Sequence, residues 1–132
     1  MPVDYARAGD LLAAFGSGWE AFDGDAWVAL FTDDATYAFD PFEPPLTGQN
    51  EIRAYLVDSA RTQQQVEFTV ERHWVSGDTV LAAWHASFIR VASGARVRIA
   101  GFLTLEVAPD GRVARLREWW HRREPAAADR SE

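Results

Sequence analysis

The stretch from Val113 to His121 holds the carboxylate best placed for chemistry. Successive side chains of a strand point to opposite faces. Leu116, Glu118 and Trp120 therefore share one face, and Arg115, Arg117, Trp119 and His121 share the other. Glu118 keeps apolar company. A carboxylate desolvated beside Trp120 has its pKa raised toward the range of a general base. The competing reading makes Glu118 the ion-pair partner of an arginine on the neighbouring strand, or a solvated charge at the rim.

Tyr37 and Asp40 form a second constellation. Strict alternation with Tyr37 and Phe39 inward sends Asp40 outward, but Pro41 ends the strand there and leaves Asp40 free to turn toward a pocket mouth. An Asp-Pro pair is equally a turn initiator. Tyr37 either donates to a ligand oxygen or has its hydroxyl satisfied within the protein. His85 is the third candidate acid or base. A four-residue turn at Ser76-Gly77-Asp78-Thr79 pairs Val75 with Val80 and turns His85 inward, whereas a bulge turns Trp84 inward and His85 out. The larger rings favour Trp84, Ala86 and Phe88 on the inner face. His73 and His121 fall on expected outer faces, and no histidine spacing suits a metal.

These groups need elements to hold them. Tyr5 to Phe22 reads as an amphipathic helix despite Gly16 and Gly18, which either admit a close neighbour or are simply tolerated. Asp25 is expected to cap a short second helix carrying Trp27, Val28, Leu30 and Phe31, which Thr32, Asp33 and Asp34 then break. Ala35 to Phe39 reads as a short strand, and Pro41, Pro44 and Pro45 force an extended loop. A third helix starts near Gln49, with Ile52, Tyr55 and Leu56 on one face. Four long strands follow. Val66, Phe68, Val70 and Trp74 line one side of the first; turns at Ser76-Gly77-Asp78-Thr79, Ser93-Gly94 and Pro109-Asp110-Gly111 join the rest. After Pro125 the chain is expected to fray, leaving one domain over 1–124.

Composition narrows the chemistry by exclusion. The chain has no Cys, and all 13 of its basic residues are Arg. Thiolate nucleophiles, disulfides and Schiff-base lysines are thereby removed. A net charge of -7 argues against nucleic acid. No apolar run approaches a membrane span or a signal peptide, so cytoplasmic residence is the default expectation. Six Trp, eight Phe and three Tyr supply enough rings to line a cavity. Phe15, Trp19, Tyr55, Phe68, Trp84, Phe88, Phe102 and Trp120 are the expected lining. Among such rings an unpaired charge is costly, so a small apolar or aromatic ligand with one oxygen function is expected.

The segment LFTDDATYAFDPFEPPLTGQNEIRAYL, Leu30 to Leu56, resembles the NTF2-like superfamily, specifically its SnoaL-like and ketosteroid-isomerase-like branch. LFTDDAT and TGQNEIR carry the likeness most closely, and it extends loosely to about His121. The resemblance implies an α+β fold, an NTF2-like cone: a curved antiparallel β-sheet with three N-terminal helices packed on its concave face. It implies a cofactor-free pocket for acid/base chemistry: isomerisation, cyclisation, dehydration or hydrolysis. The isomerases' general base, an Asp before Pro, is similar to Asp40-Pro41 with an offset of one position. Their first oxyanion donor, a tyrosine, falls on Phe15, and their second falls near Ala100 or Leu103; neither position can donate. The limonene epoxide hydrolases use an Asp-Arg-Asp set, of which this chain shows Glu118 without an evident Arg and second Asp.

Two functions from different classes follow: an enzyme moving a proton through Glu118 or Asp40, with Tyr37, Tyr55 or His85 orienting the substrate, or a non-catalytic ligand-binding or accessory domain. A homodimer is also expected, because Val97, Ile99, Leu103 and Leu105 are read as an apolar outer face opposite Phe102.

Overall fold

The computed structural model describes residues 2–125, and its first helix begins at a side-chain cap. The Asp4 carboxylate accepts from the Arg7 N–H at 2.7 Å, and α1 runs Tyr5–Ala21. Asp23 caps α2, Gly24–Val28. The expected cap at Asp25 is thus two residues late: Asp25 lies in the first turn and pairs with Arg53 at 2.8 Å. The helix also ends earlier than its apolar run suggests. Phe31 opens β1, Phe31–Ala38, because the Leu30 carbonyl accepts from Val113 N–H at 2.7 Å and commits the chain to the sheet.

A loop through Pro41, Pro44 and Pro45 leads to β2, Leu46–Thr47, and then to α3, Gly48–Thr62. Gly48 takes φ +84, a conformation open to glycine without a Cβ penalty. Gln49 then donates to the Val28 and Phe31 carbonyls at 3.2 and 2.9 Å. The TGQ sequence is thereby a staple, fixing the start of α3 to the junction of α2 and β1.

Four strands complete the fold: β3 Gln63–Ser76, β4 Thr79–Arg90, β5 Arg96–Val107 and β6 Val113–Arg123. The sheet order is β2-β1-β6-β5-β4-β3. All neighbours are antiparallel except β1 and β6, which run parallel. The α+β class and the helices on one face of a curved sheet stand as expected, with that single parallel pair added. The tail beyond Pro125 lies outside the described residues. No described helix is long and apolar enough to cross a membrane.

Gly16 and Gly18 have a specific purpose. A Cβ on Gly16 would lie 2.5 Å from the Phe68 ring, and one on Gly18 would lie 2.6 Å from Trp27. The two glycines sink α1 onto aromatic side chains, drawing sheet and helices together around a ring-filled core.

Two parities need correction. Glu71 is an extra residue between the Val70–Trp84 and Arg72–Ala83 pairs. This bulge reverses the end of β3: Trp74 goes to the outer face, exposed, and His73 comes inward to stack on Tyr5 with ring centroids 3.9 Å apart. In β5, Val97, Leu103 and Leu105 are fully buried inside the core, and Phe102 is exposed. Cross-strand partners share a face. Phe102 pairs with Trp119, on the outer face, while Leu103 pairs with Glu118. The apolar outer face expected from Val97, Ile99, Leu103 and Leu105 is therefore the core itself.

Candidate active site

Helices and sheet enclose a cavity of about 230 Å³. Six elements contribute rings to its wall: Phe15 and Trp19 from α1, Trp27 from α2, Tyr37 from β1, Tyr55 from α3, Trp84 and Phe88 from β4, and Trp120 from β6. Polar groups gather at its two ends. Glu118 is the one buried charged side chain among the described residues, at 6% exposure. The other end carries Ser59, Gln63, Arg90 and Arg122.

At the inner end the Tyr37 hydroxyl donates to Glu118 Oε2 at 3.1 Å. Tyr37 is held for this by Trp27 and Tyr55, whose rings lie 5.7 and 5.5 Å from its own. Burial pushes the Glu118 carboxyl up from 4.5 to about 7, against the Tyr37 hydroxyl and the Trp120 indole, which favour its charged form. The carboxyl is thus part ionised at neutral pH. Burial, and then the neighbouring Glu118 charge, push the Tyr37 and Tyr55 phenols above their ordinary value. Both tyrosines stay protonated and serve only as neutral hydrogen-bonding groups.

Such an arrangement can take and return one proton at Glu118. The base is buried, near neutral in pKa, and aimed by a hydrogen bond, which are the requirements for general acid/base work. Tyr37 spends its donor on Glu118 and so positions the carboxylate; Tyr55 lines the same cavity.

Eight of the twelve expected site residues meet in this cavity: Glu118, Tyr37, Phe15, Trp19, Tyr55, Trp84, Phe88 and Trp120. Four do not. Asp40 faces away, its Oδ1 accepting from Phe42 N–H at 2.9 Å, so the Asp-Pro pair starts a turn. His85 is on the outer face, its Nδ1 3.0 Å from a Glu71 carboxylate oxygen, because the Glu71 bulge puts Trp84 inward. Phe68 stands behind the wall, edge-on to Phe15 at 5.7 Å. Phe102 is outside with Trp119. Trp27, Gln63, Arg90 and Arg122 also line the cavity without having been expected there. Parity does point to Arg122, two residues past Trp120 on the face of Glu118, once the strand is carried beyond His121.

A family model for the SnoaL-like domain matches residues 12–116. No curated protein matches the chain by sequence. Among solved structures, the epoxide hydrolase/cyclase-like enzyme SalBIII, of pyran ring formation in the polyether salinomycin, superposes with a TM-score of 0.79 at 20% identity, covering 89% of this chain and 93% of that one. An LEH-like epoxide hydrolase of M. tuberculosis reaches 0.74 at 22% identity, over 88% of this chain and 84% of its own. A protein with a ketosteroid isomerase-like fold from Catenulispora acidiphila, crystallised with trimethylamine, reaches 0.75 at 16%, over 83% of each chain. At these identities the likeness is one of fold.

Proposed function

The chain belongs to the SnoaL-like domain family, and from its cavity we propose a cofactor-free enzyme that moves a proton on a small cyclic or aromatic substrate. One observation carries this reading: a buried carboxylate whose pKa lies near 7, oriented by Tyr37 at the end of an aromatic cavity. The ionised Glu118 takes a proton from a carbon next to a carbonyl. The C–H electron pair moves to the carbonyl oxygen as an enolate, and the protonated Glu118 returns the proton to carbon or to a leaving group. Isomerisation, cyclisation and dehydration differ in where the proton lands; hydrolysis takes it from water instead. Tyr55, protonated across the working pH range, is the donor available for the developing oxyanion.

The cavity bounds the substrate. A site of roughly 150 Å³ holds a benzene, so about 230 Å³ encloses one or two fused rings. A four-ring steroid is too large to be enclosed.

A second reading, a ligand-binding domain without turnover, is favoured by the lack, among the described residues, of a second carboxylate or histidine lining the cavity with Glu118 after Asp40 and His85 are placed elsewhere. Hydrogen exchange at the carbon next to the carbonyl of 2-tetralone in D2O, followed by NMR, separates the two. Accelerated exchange by the native chain and its loss in Glu118→Gln support the enzyme. Binding of the ketone without exchange supports the second reading.

A second copy of the chain is the proposed cover for the outer face. There Trp74 and Phe102 lie 6.1 Å apart, and Phe102 pairs with Trp119, forming an exposed aromatic row across the sheet. Arg72 and Arg117 flank the row, stacked over Trp74 and Trp119. A contiguous ring surface of this kind is uncommon on a monomer.

A further inference from the structure

The cavity has a second polar end that the proton transfer does not use. Arg90 and Arg122 both line it, and both face Glu124. Arg90 makes a bidentate pair, donating from Nε and Nη2 to the two Glu124 oxygens at 2.9 and 3.0 Å. Its guanidinium also lies 4.9 Å over the Phe88 ring. Arg122 Nε lies 3.7 Å from a Glu124 oxygen, beyond hydrogen-bond distance, with its side chain half-exposed. Two guanidiniums thus share one carboxylate, and among the described residues this rim keeps one positive charge in a chain whose net charge is -7. Resting on the proposed reading of the cavity, we propose that the substrate carries a carboxylate, held at the rim by Arg122, one ring system away from the carbon that Glu118 deprotonates.

The spacing supports this. Glu118, Trp120 and Arg122 alternate with Trp119 and His121 along β6 and line one cavity. Four residues of strand span about 13 Å, which suits a bicyclic body lying along Trp120 with a short acid arm. Arg90 is the less available of the two, because its Nε–Nη2 edge is held by Glu124. The Arg90–Glu124 pair holds the rim in shape, and Arg122 lines the cavity beside it. The cost of an unpaired charge applies to the ring-lined middle of the cavity. At the rim, a carboxylate meets a guanidinium through charge-assisted hydrogen bonds and stays near water.

Isothermal titration with 2-naphthylacetate and its neutral isostere 2-naphthylacetamide tests the proposal. The native chain is expected to bind the acid about tenfold more tightly than the amide, as for a charge-assisted pair at a partly exposed site. That preference should weaken with added salt and disappear in Arg122→Gln, while surviving in Glu118→Gln. Equal affinity for acid and amide, failure of both to bind, or a preference that survives Arg122→Gln would overturn it. Exchange of the neutral 2-tetralone is read separately. It depends on Glu118, so a failure of the rim carboxylate site and a failure of the proton-transfer reading give different results.

Discussion

Relative to the native chain, replacing Glu118 by Gln should stabilise the folded protein progressively as pH rises from 4.5 to about 7. Gln keeps the shape and can accept the Tyr37 hydroxyl, which lies 3.1 Å from Oε2 in the native chain, but it has no proton to lose. Burial raises the Glu118 carboxyl from 4.5 to about 7 in the folded chain. Between those two pH values the folded state holds a proton that the unfolded chain has released. Stability therefore falls as pH rises. The contribution of the Glu118 proton is fully present below 4.5 and lost above about 7. At about 1.36 kcal/mol per pH unit, the native chain loses roughly 3 kcal/mol relative to Glu118→Gln across this window. For a domain of this size that is a relative change in Tm of about 10 °C. Calorimetric melts of both proteins at half-unit steps from pH 4 to 9 measure the difference, in which every other titrating group cancels. Parallel Tm profiles would refute the reasoning, since a carboxyl that titrates alike folded and unfolded is not desolvated.

Tyr37→Phe removes a hydrogen bond that favours the charged carboxylate, a loss of about 1 kcal/mol. The rising limb of the exchange rate should move up by about one pH unit while the plateau changes little; an unmoved limb with a lowered plateau would make Tyr37 something other than a positioning residue. Gly101→Ala should destabilise the fold by about 1–3 kcal/mol, because its Cβ would lie 2.7 Å from the Trp119 carbonyl and 2.8 Å from the Trp84 ring. Urea melts of that variant check this, and an unchanged midpoint would contradict the close approach of those groups. The native chain should run as a dimer by light scattering at micromolar concentration and Trp119→Arg as a monomer; a monomeric native chain rejects the second copy.

How much of this was legible in the sequence depends on whether an element is set by local chemistry or by a register. The parity of β6 was readable from LREWW alone, since a carboxylate flanked at i±2 by Leu and Trp has one apolar face to occupy. The helices were readable from their stripes, and the proline loop from its prolines. Phe102 and His73 were misplaced because their sides depend on pairing, and neither the Glu71 bulge nor the Leu103–Glu118 partnership leaves a local signal. Asp40 was ambiguous at a strand end and went to the turn. Its backbone sits where the nearest available donor is the Phe42 N–H, and the Asx bond satisfies the carboxylate there. Arg90, a whole strand away from Glu118, belongs to the site only because the sheet curves around the cavity.

The pH dependence of 2-tetralone exchange in the native chain, measured beside Glu118→Gln, tests Glu118 as the base most directly. A base must be ionised, so the rate should rise with pH to a plateau with its midpoint at about 7, the value to which burial brings this carboxyl. In Glu118→Gln the plateau should fall by about a hundredfold or more, the contribution of a general base, and the limb should vanish. A native profile with its midpoint near 4.5, or a Gln variant that keeps both the rate and the limb, would contradict it.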